Sequence, residues 1–203
     1  MPWALLASTY LAFVGLEELL GPTRGYLAAF VVYWVGWCLL FPLWFLGKKE
    51  LKRVLSPVRF SRSGAMAGGL VLLAVPPVLA LATVFVTKIP QATVAVVLGS
   101  LGLAAVNGTA EEVLWRGVYI REFPGDMLRG FLYPTLGFAL WHLAPQAVHP
   151  LSMPGGVAAF VAGAFFMGAC WGWVAWKTGS VRWAICSHVL TDFLGLGATV
   201  YFL

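Results

Sequence analysis

Residues 107–121 read N-G-T-A-E-E-V-L-W-R-G-V-Y-I-R, placing two adjacent glutamates and an arginine in an otherwise apolar chain. On a soluble helix such a pair would carry little information. This chain, however, has 203 residues of which 61% are hydrophobic and only 10% charged, with a mean hydropathy of +0.87. A soluble domain of this size carries about 25% charged residues, so the composition marks an integral membrane protein. Charged groups within a membrane are rare, costly and commonly functional. Apolar segments of helical length recur along the chain, unlike the weak alternation of a membrane barrel. The longest polar stretch, 47–63, is too short for a soluble domain, and the reading is one membrane domain over 1–203.

Outward from that stretch, hydropathy predicts seven apolar spans, at about 2–16, 26–46, 64–87, 92–120, 130–144, 157–176 and 183–203. The predicted fold is therefore an all-α integral membrane bundle of about seven transmembrane helices, with its site buried among the last four. Pro76 and Pro77 fall mid-way along the third span, where a proline pair should kink or break the helix. Turns or loops are expected at 21–25, 47–63, 121–130, 145–156 and 177–182. The amino terminus lacks the basic region of a signal peptide, so the first span is expected to stay as a helix. Cys38, Cys170 and Cys186 each sit in an apolar run and read as packing residues.

The net charge of +5 reflects topology rather than nucleic-acid binding. The loops at 47–63, 121–130 and 177–182 hold six, two and two Lys or Arg, against only Arg24 and Lys88 in the opposite loops. By the positive-inside rule the amino terminus is expected in the cytoplasm and the carboxyl terminus across a cell (plasma or inner) membrane. The 47–63 loop is expected to rest on anionic lipid.

Six strongly polar side chains remain inside the spans: Glu111, Glu112, Arg116, His142, His188 and Asp192. An isolated ionisable group at mid-bilayer costs about 2.5–3.5 kcal/mol even on lenient scales, so these groups should meet and compensate one another. At the helical rise, Glu111 lies roughly 15 Å, His142 roughly 18 Å, and His188 and Asp192 roughly 9 and 15 Å from the same basic end. Three helices thus place their polar groups in one layer. Glu112 and Arg116 are four residues apart and can pair, while Glu111 points about 100° away on the helix. His188 and Asp192 share a helix face, as do Phe138 and His142.

E-E-V-L-W-R (111–116), F-A-L-W-H (138–142) and H-V-L-T-D (188–192) fit the signatures E-E-x-x-x-R, F-x-x-x-H and H-x-x-x-N/D. In this order on successive membrane helices they resemble the CAAX protease and bacteriocin-processing family, relatives of the type II CAAX prenyl endopeptidases. The resemblance covers about 90–203, the expected catalytic core. It implies a metal-free intramembrane endopeptidase of the glutamate type, acting near the end of a membrane-associated or lipid-anchored peptide or protein. Carried over, Glu111 is the general base, His142 positions or polarises the water, and His188 with Asp192 faces the oxyanion. Glu112 and Arg116 become a supporting pair. Asp192 stands where the prenyl endopeptidases have Asn, and an ionised Asp cannot donate. Either it accepts from His188 or it is itself protonated.

No cofactor is expected, although two histidines with two or three carboxylates also suit zinc, and that version stays open. Alternatives are a non-proteolytic immunity or scaffolding protein, or a proton-coupled transporter, which inverted repeats would favour and which the sequence lacks. Expected partners are membrane lipids and the peptide substrate, with no nucleic acid; oligomeric state is not legible. Glu17 and Glu18 form a second acid pair with no following Arg and read as an interface marker. His149 reads as structural, and Trp115, Trp141 and Trp183 as packing or interface residues. Substrate entry is expected from the basic end or laterally from lipid.

Overall fold

The computed structural model describes residues 1–57 and 64–199. Its described residues are helical with no strand. Helix α1 spans Pro2–Leu20 and α2 spans Pro22–Val54, widening to a π-helical stretch at Tyr33–Leu40 and bending at Gly47. Helix α3 runs from Gly64–Ala80 through a π turn at Leu81–Phe85 to Lys88. Helix α4 spans Val94–Glu122, interrupted by a π turn at Val113–Gly117. Then follow α5 (128–141), the short α6 (Leu143–Val148), α7 (Gly156–Thr178) and α8 (Arg182–Leu194). Large apolar side chains cover the outside, Trp44 being 80% exposed. Glu111, Glu112 and Arg116 of α4 and His188 lie inside, as expected of a protein whose solvent is lipid.

Among the described residues, five helices are long and apolar enough to cross a membrane, not seven. The expected fifth span ends at His142, after which Pro145 sits in the separate turn α6. The seventh stops at Leu194, where Gly195 and Gly197 follow, leaving a helix of 13 residues. Loop boundaries shift as well. Only Gly21, with φ 82°, separates α1 from α2. The expected loop at 47–63 is helical to Val54, and its residues 58–63, with Arg59 and Arg62, lie outside the described residues. So do residues 200–203, the expected end of the seventh span. Helix α4 continues to Glu122, and the expected loop at 145–156 contains most of α6.

The proline pair does not break α3. Pro77 has no N–H for the Leu73 carbonyl one turn earlier, and the Ser187 hydroxyl on α8 donates to that oxygen at 2.6 Å. Ser187 in turn accepts from the Trp171 indole at 2.9 Å. Three helices are pinned together by an acceptor that a proline released. Ser187→Ala leaves both the carbonyl and the indole unsatisfied, with an expected loss of about 1–3 kcal/mol in denaturation of the detergent-solubilised protein. Pro77→Ala in that background restores an N–H for Leu73 and should recover part of the loss; an unchanged melting curve for Ser187→Ala would count against the strap.

The basic segments gather at one end. Val181 N–H donates to the Val54 carbonyl at 2.9 Å, Ser180 Oγ donates to the carbonyls of Val54 and Ser56, and Arg121 pairs with Glu50. At the far end of α4, the Tyr26 and His149 rings meet at 5.1 Å. His149, read as structural from the sequence, packs on the Tyr26 ring. Cys38 and Cys170 are buried, but Cys186 is exposed and so faces outward rather than into the core.

Candidate active site

The layer of polar residues begins with a close helix crossing. Gly108 on α4 meets the backbone of Val189 on α8, where an added Cβ would stand 2.8 Å from the Val189 nitrogen. Small residues let membrane helices approach in this way. The crossing carries Glu111 and Glu112, one turn on, to His188. Glu112 Oε1 lies 2.9 Å from His188 Nδ1, and Glu111 Oε2 lies 3.6 Å from His188 Nε2. The two acids therefore bracket one imidazole from opposite ring nitrogens. Asp192 Oδ1 stands 3.5 Å from Nε2, beside Glu111. Glu111, Glu112 and His188 are 1%, 0% and 2% exposed.

Arg116 completes the cluster. Its Nη1 lies 2.9 Å from Glu112 Oε1, the pairing expected from their spacing. Its Nη2 donates to the Gly168 carbonyl at 3.1 Å, and its guanidinium covers the Phe138 ring at 4.3 Å. A Cβ at position 168 would collide with both Phe138 and Arg116, so the absence of a side chain on α7 lets the cation in. Glu112 thus has Arg116 and His188 at 2.9 Å on Oε1, and among the described residues Glu111 Oε1 and Glu112 Oε2 are both buried with no hydrogen-bond partner.

His142, at the end of α5, makes its Nδ1 contact with the Phe138 carbonyl at 2.8 Å. A carbonyl only accepts, so Nδ1 carries the hydrogen, leaving Nε2 of the neutral ring as an acceptor. The Phe138 ring stands edge-on to His142 at 4.7 Å and to His188 at 6.0 Å, the aromatic wall expected one turn before the histidine. Glu111, His142, His188 and Asp192 all line one cavity of about 650 Å³, within the size range of ligand pockets. From these groups it extends to Tyr26, Lys88, His149 and Met153. That is the end of α4 away from the basic segments. Glu17 and Glu18 do not line it.

Sequence reading missed three contributors. Trp171 on α7 stacks face to face on His188, with centroids 3.9 Å apart and an interplanar angle of 14°. Ser187 holds that indole. Asn107 donates to Asp192 Oδ2 at 2.9 Å and lies 3.3 Å from Glu111 Oε2. Its position one helical turn before Glu111 was the available signal. Trp115 and Trp141 are buried against Tyr33, the Trp115 indole donating to its hydroxyl and Trp141 stacking on its ring, and Trp141 also lines the cavity. No group of three or more His, Cys, Asp or Glu among the described residues is arranged to hold a metal ion.

Residues 92–194, which contain all six charged and histidine groups of this cluster, match the family described as type II CAAX prenyl endopeptidase Rce1-like. The chain belongs to that family. Membership makes it a CAAX-type peptidase, and its apolar helices make it a multi-pass membrane protein. No curated protein and no solved structure matches it. The matched segment starts just before α4 and ends with α8, so α1 to α3 lie outside it.

Proposed function

We propose that this Rce1-like protein is an intramembrane endopeptidase of the glutamate type. Glu111 is its general base, His142 positions the water, and His188 supported by Asp192 faces the developing oxyanion. The observation that carries this reading is Glu111 itself: among the described residues both acids bury one oxygen with no hydrogen-bond partner, but of the two it is Glu111 that lines the largely apolar cavity. The neighbouring acid Glu112 is already committed to Arg116 and His188. In such a water-poor site a positioned base and donor act at full electrostatic strength.

The step balances without a co-reactant. Water between Glu111 and the accepting Nε2 of His142 gives one proton to the Glu111 carboxylate, and its oxygen bonds to the scissile carbonyl carbon. The carbonyl π pair moves onto its oxygen, which His188 Nε2–H holds. As the C–N bond breaks, the proton on Glu111 passes to the leaving nitrogen, giving a carboxylic acid and an amine. Asp192, reached by the Asn107 amide, acts as an acceptor beside His188.

The substrate is a membrane-associated or lipid-anchored peptide or protein, cut near its terminus, reached through lipid in a cell membrane. The basic segments and the amino terminus face the cytoplasm, and α8 ends toward the opposite side. The cavity then communicates with the non-cytoplasmic half. Incubation with membrane peptides tests the reading: wild type yields product ions, and Glu111→Ala and His142→Ala do not. Equal products from all three proteins would sink it. Because His188 Nδ1 is occupied by Glu112, chelator-treated enzyme is expected to keep its activity; loss on chelation with recovery on added zinc would show a metal enzyme.

A further inference from the structure

The motifs account for the acids and histidines around the cavity but give Asn107 no task. Its side chain lines the same cavity from α4, and its orientation is settled by a neighbour. The Trp34 indole nitrogen, which can only donate, lies 2.9 Å from Asn107 Oδ1. The amide oxygen is thereby turned toward α2 and the NH₂ toward the carboxylates. That NH₂ makes one good hydrogen bond, to Asp192 Oδ2 at 2.9 Å, and one long one, to Glu111 Oε2 at 3.3 Å. His188 Nε2 is in a similar position, 3.6 Å from Glu111 and 3.5 Å from Asp192, too far for a good bond to either. Two donors from two helices converge beside Glu111, and neither is fully used there.

We propose that Asn107 is a catalytic residue, its Nδ2–H and His188 Nε2–H together holding the oxyanion. The inference rests on Glu111 being the base. Before attack the negative charge is on Glu111. After water has surrendered its proton to Glu111, that charge resides on the former carbonyl oxygen. A donor held loosely at Glu111 turns to the oxyanion as the charge moves, while the bond to Asp192 and the contact with Trp34 keep the amide in place. Asp192 Oδ2 accepts from the amide and so anchors the group that donates. When the C–N bond breaks and Glu111 returns its proton, the amide resumes its resting contacts. No atom of Asn107 is consumed.

The test uses the full-length protein in detergent micelles, an internally quenched peptide that wild type cleaves, and a peptidyl phosphinate of the same sequence as a tetrahedral anion. Asn107→Ala is expected to lower kcat by about 10²–10³-fold, the effect of removing one oxyanion donor, with little change in KM. Phosphinate affinity should fall by a similar factor while the affinity for an uncleavable amide analogue holds, a split that loss of packing does not produce. Asn107→Ser keeps a hydroxyl donor and should regain part of the activity. Trp34→Phe releases the amide to rotate and should lie between wild type and Asn107→Ala. If Asn107→Ala turns over within about threefold of wild type while Glu111→Gln is inactive, Asn107 has no such role and the base assignment stands. Undiminished phosphinate binding, or a loss confined to KM, overturns it equally. A fully active Glu111→Gln removes both readings together. Should Asn107→Ala fail to fold, the same comparisons are made on Asn107→Ser and Trp34→Phe, and wild-type turnover with wild-type phosphinate affinity in both overturns the proposal.

Discussion

Glu111→Gln is expected to reduce turnover by about 10²–10⁴-fold, the range that general acid–base catalysis supplies, without lowering the melting temperature. Glutamine keeps the shape of the side chain and an oxygen for Asn107, but it cannot take a proton from water. In the wild type this carboxylate is 1% exposed and lines the cavity. Replacing it with a neutral amide removes a buried charge, so stability should hold or rise while activity is lost, the exchange expected where a site is maintained against the stability of the fold. Thermal unfolding and peptide cleavage on the same preparation give the comparison. A variant that unfolds early would mean Glu111 is structural, and a variant that cleaves normally would mean the base is elsewhere.

Arg116→Met should produce the reverse pattern, with stability as the primary loss. Arg116 is 2% exposed, and it is paired with Glu112, bonded to the Gly168 carbonyl and laid over Phe138. Methionine fills comparable apolar space but leaves Glu112, which is 0% exposed, facing only His188. Removing one partner of a buried ion pair costs about 3–5 kcal/mol, read as a fall in the unfolding midpoint. Arg116→Lys should be only a partial replacement, because one ammonium does not reproduce a planar fork shared between a carboxylate and a carbonyl. Restoring stability by combining Arg116→Met with Glu112→Gln would identify the stranded charge as the cause; wild-type stability in Arg116→Met alone would show the pair to be dispensable.

Much of this arrangement was legible along the chain because it depends on local spacing. Glu112 and Arg116 pair across one helical turn, and Phe138 stands one turn before His142, as the 3.6-residue period requires. Counting residues from the basic loops placed Glu111 and His188 in a common layer, and those side chains meet. The same count left the direction of the cavity open, since depth along a helix does not say which end the neighbouring helices leave open. After His142 the helix restarts as the separate α6, and after Leu194 the turn at Gly195 and Gly197 interrupts the expected seventh span within the described residues. That the proline pair leaves the helix unbroken was not legible, because the Ser187 hydroxyl on α8 that satisfies the Leu73 carbonyl is 114 residues away from it.

By itself the sequence determined the solvent, the helical class and the family signatures, because apolar composition and one-turn spacings are properties of the chain irrespective of how it packs. Only the tertiary structure decided that Glu112 and Glu111 clasp opposite nitrogens of His188, that Trp171 lies flat on that ring, and that Trp34 turns the Asn107 amide toward Glu111 and Asp192. Each of these contacts needs two or three helices brought within hydrogen-bond or van der Waals reach. Gly108 and Gly168 permit that approach through what they lack, a side chain, and only the neighbouring backbones reveal why.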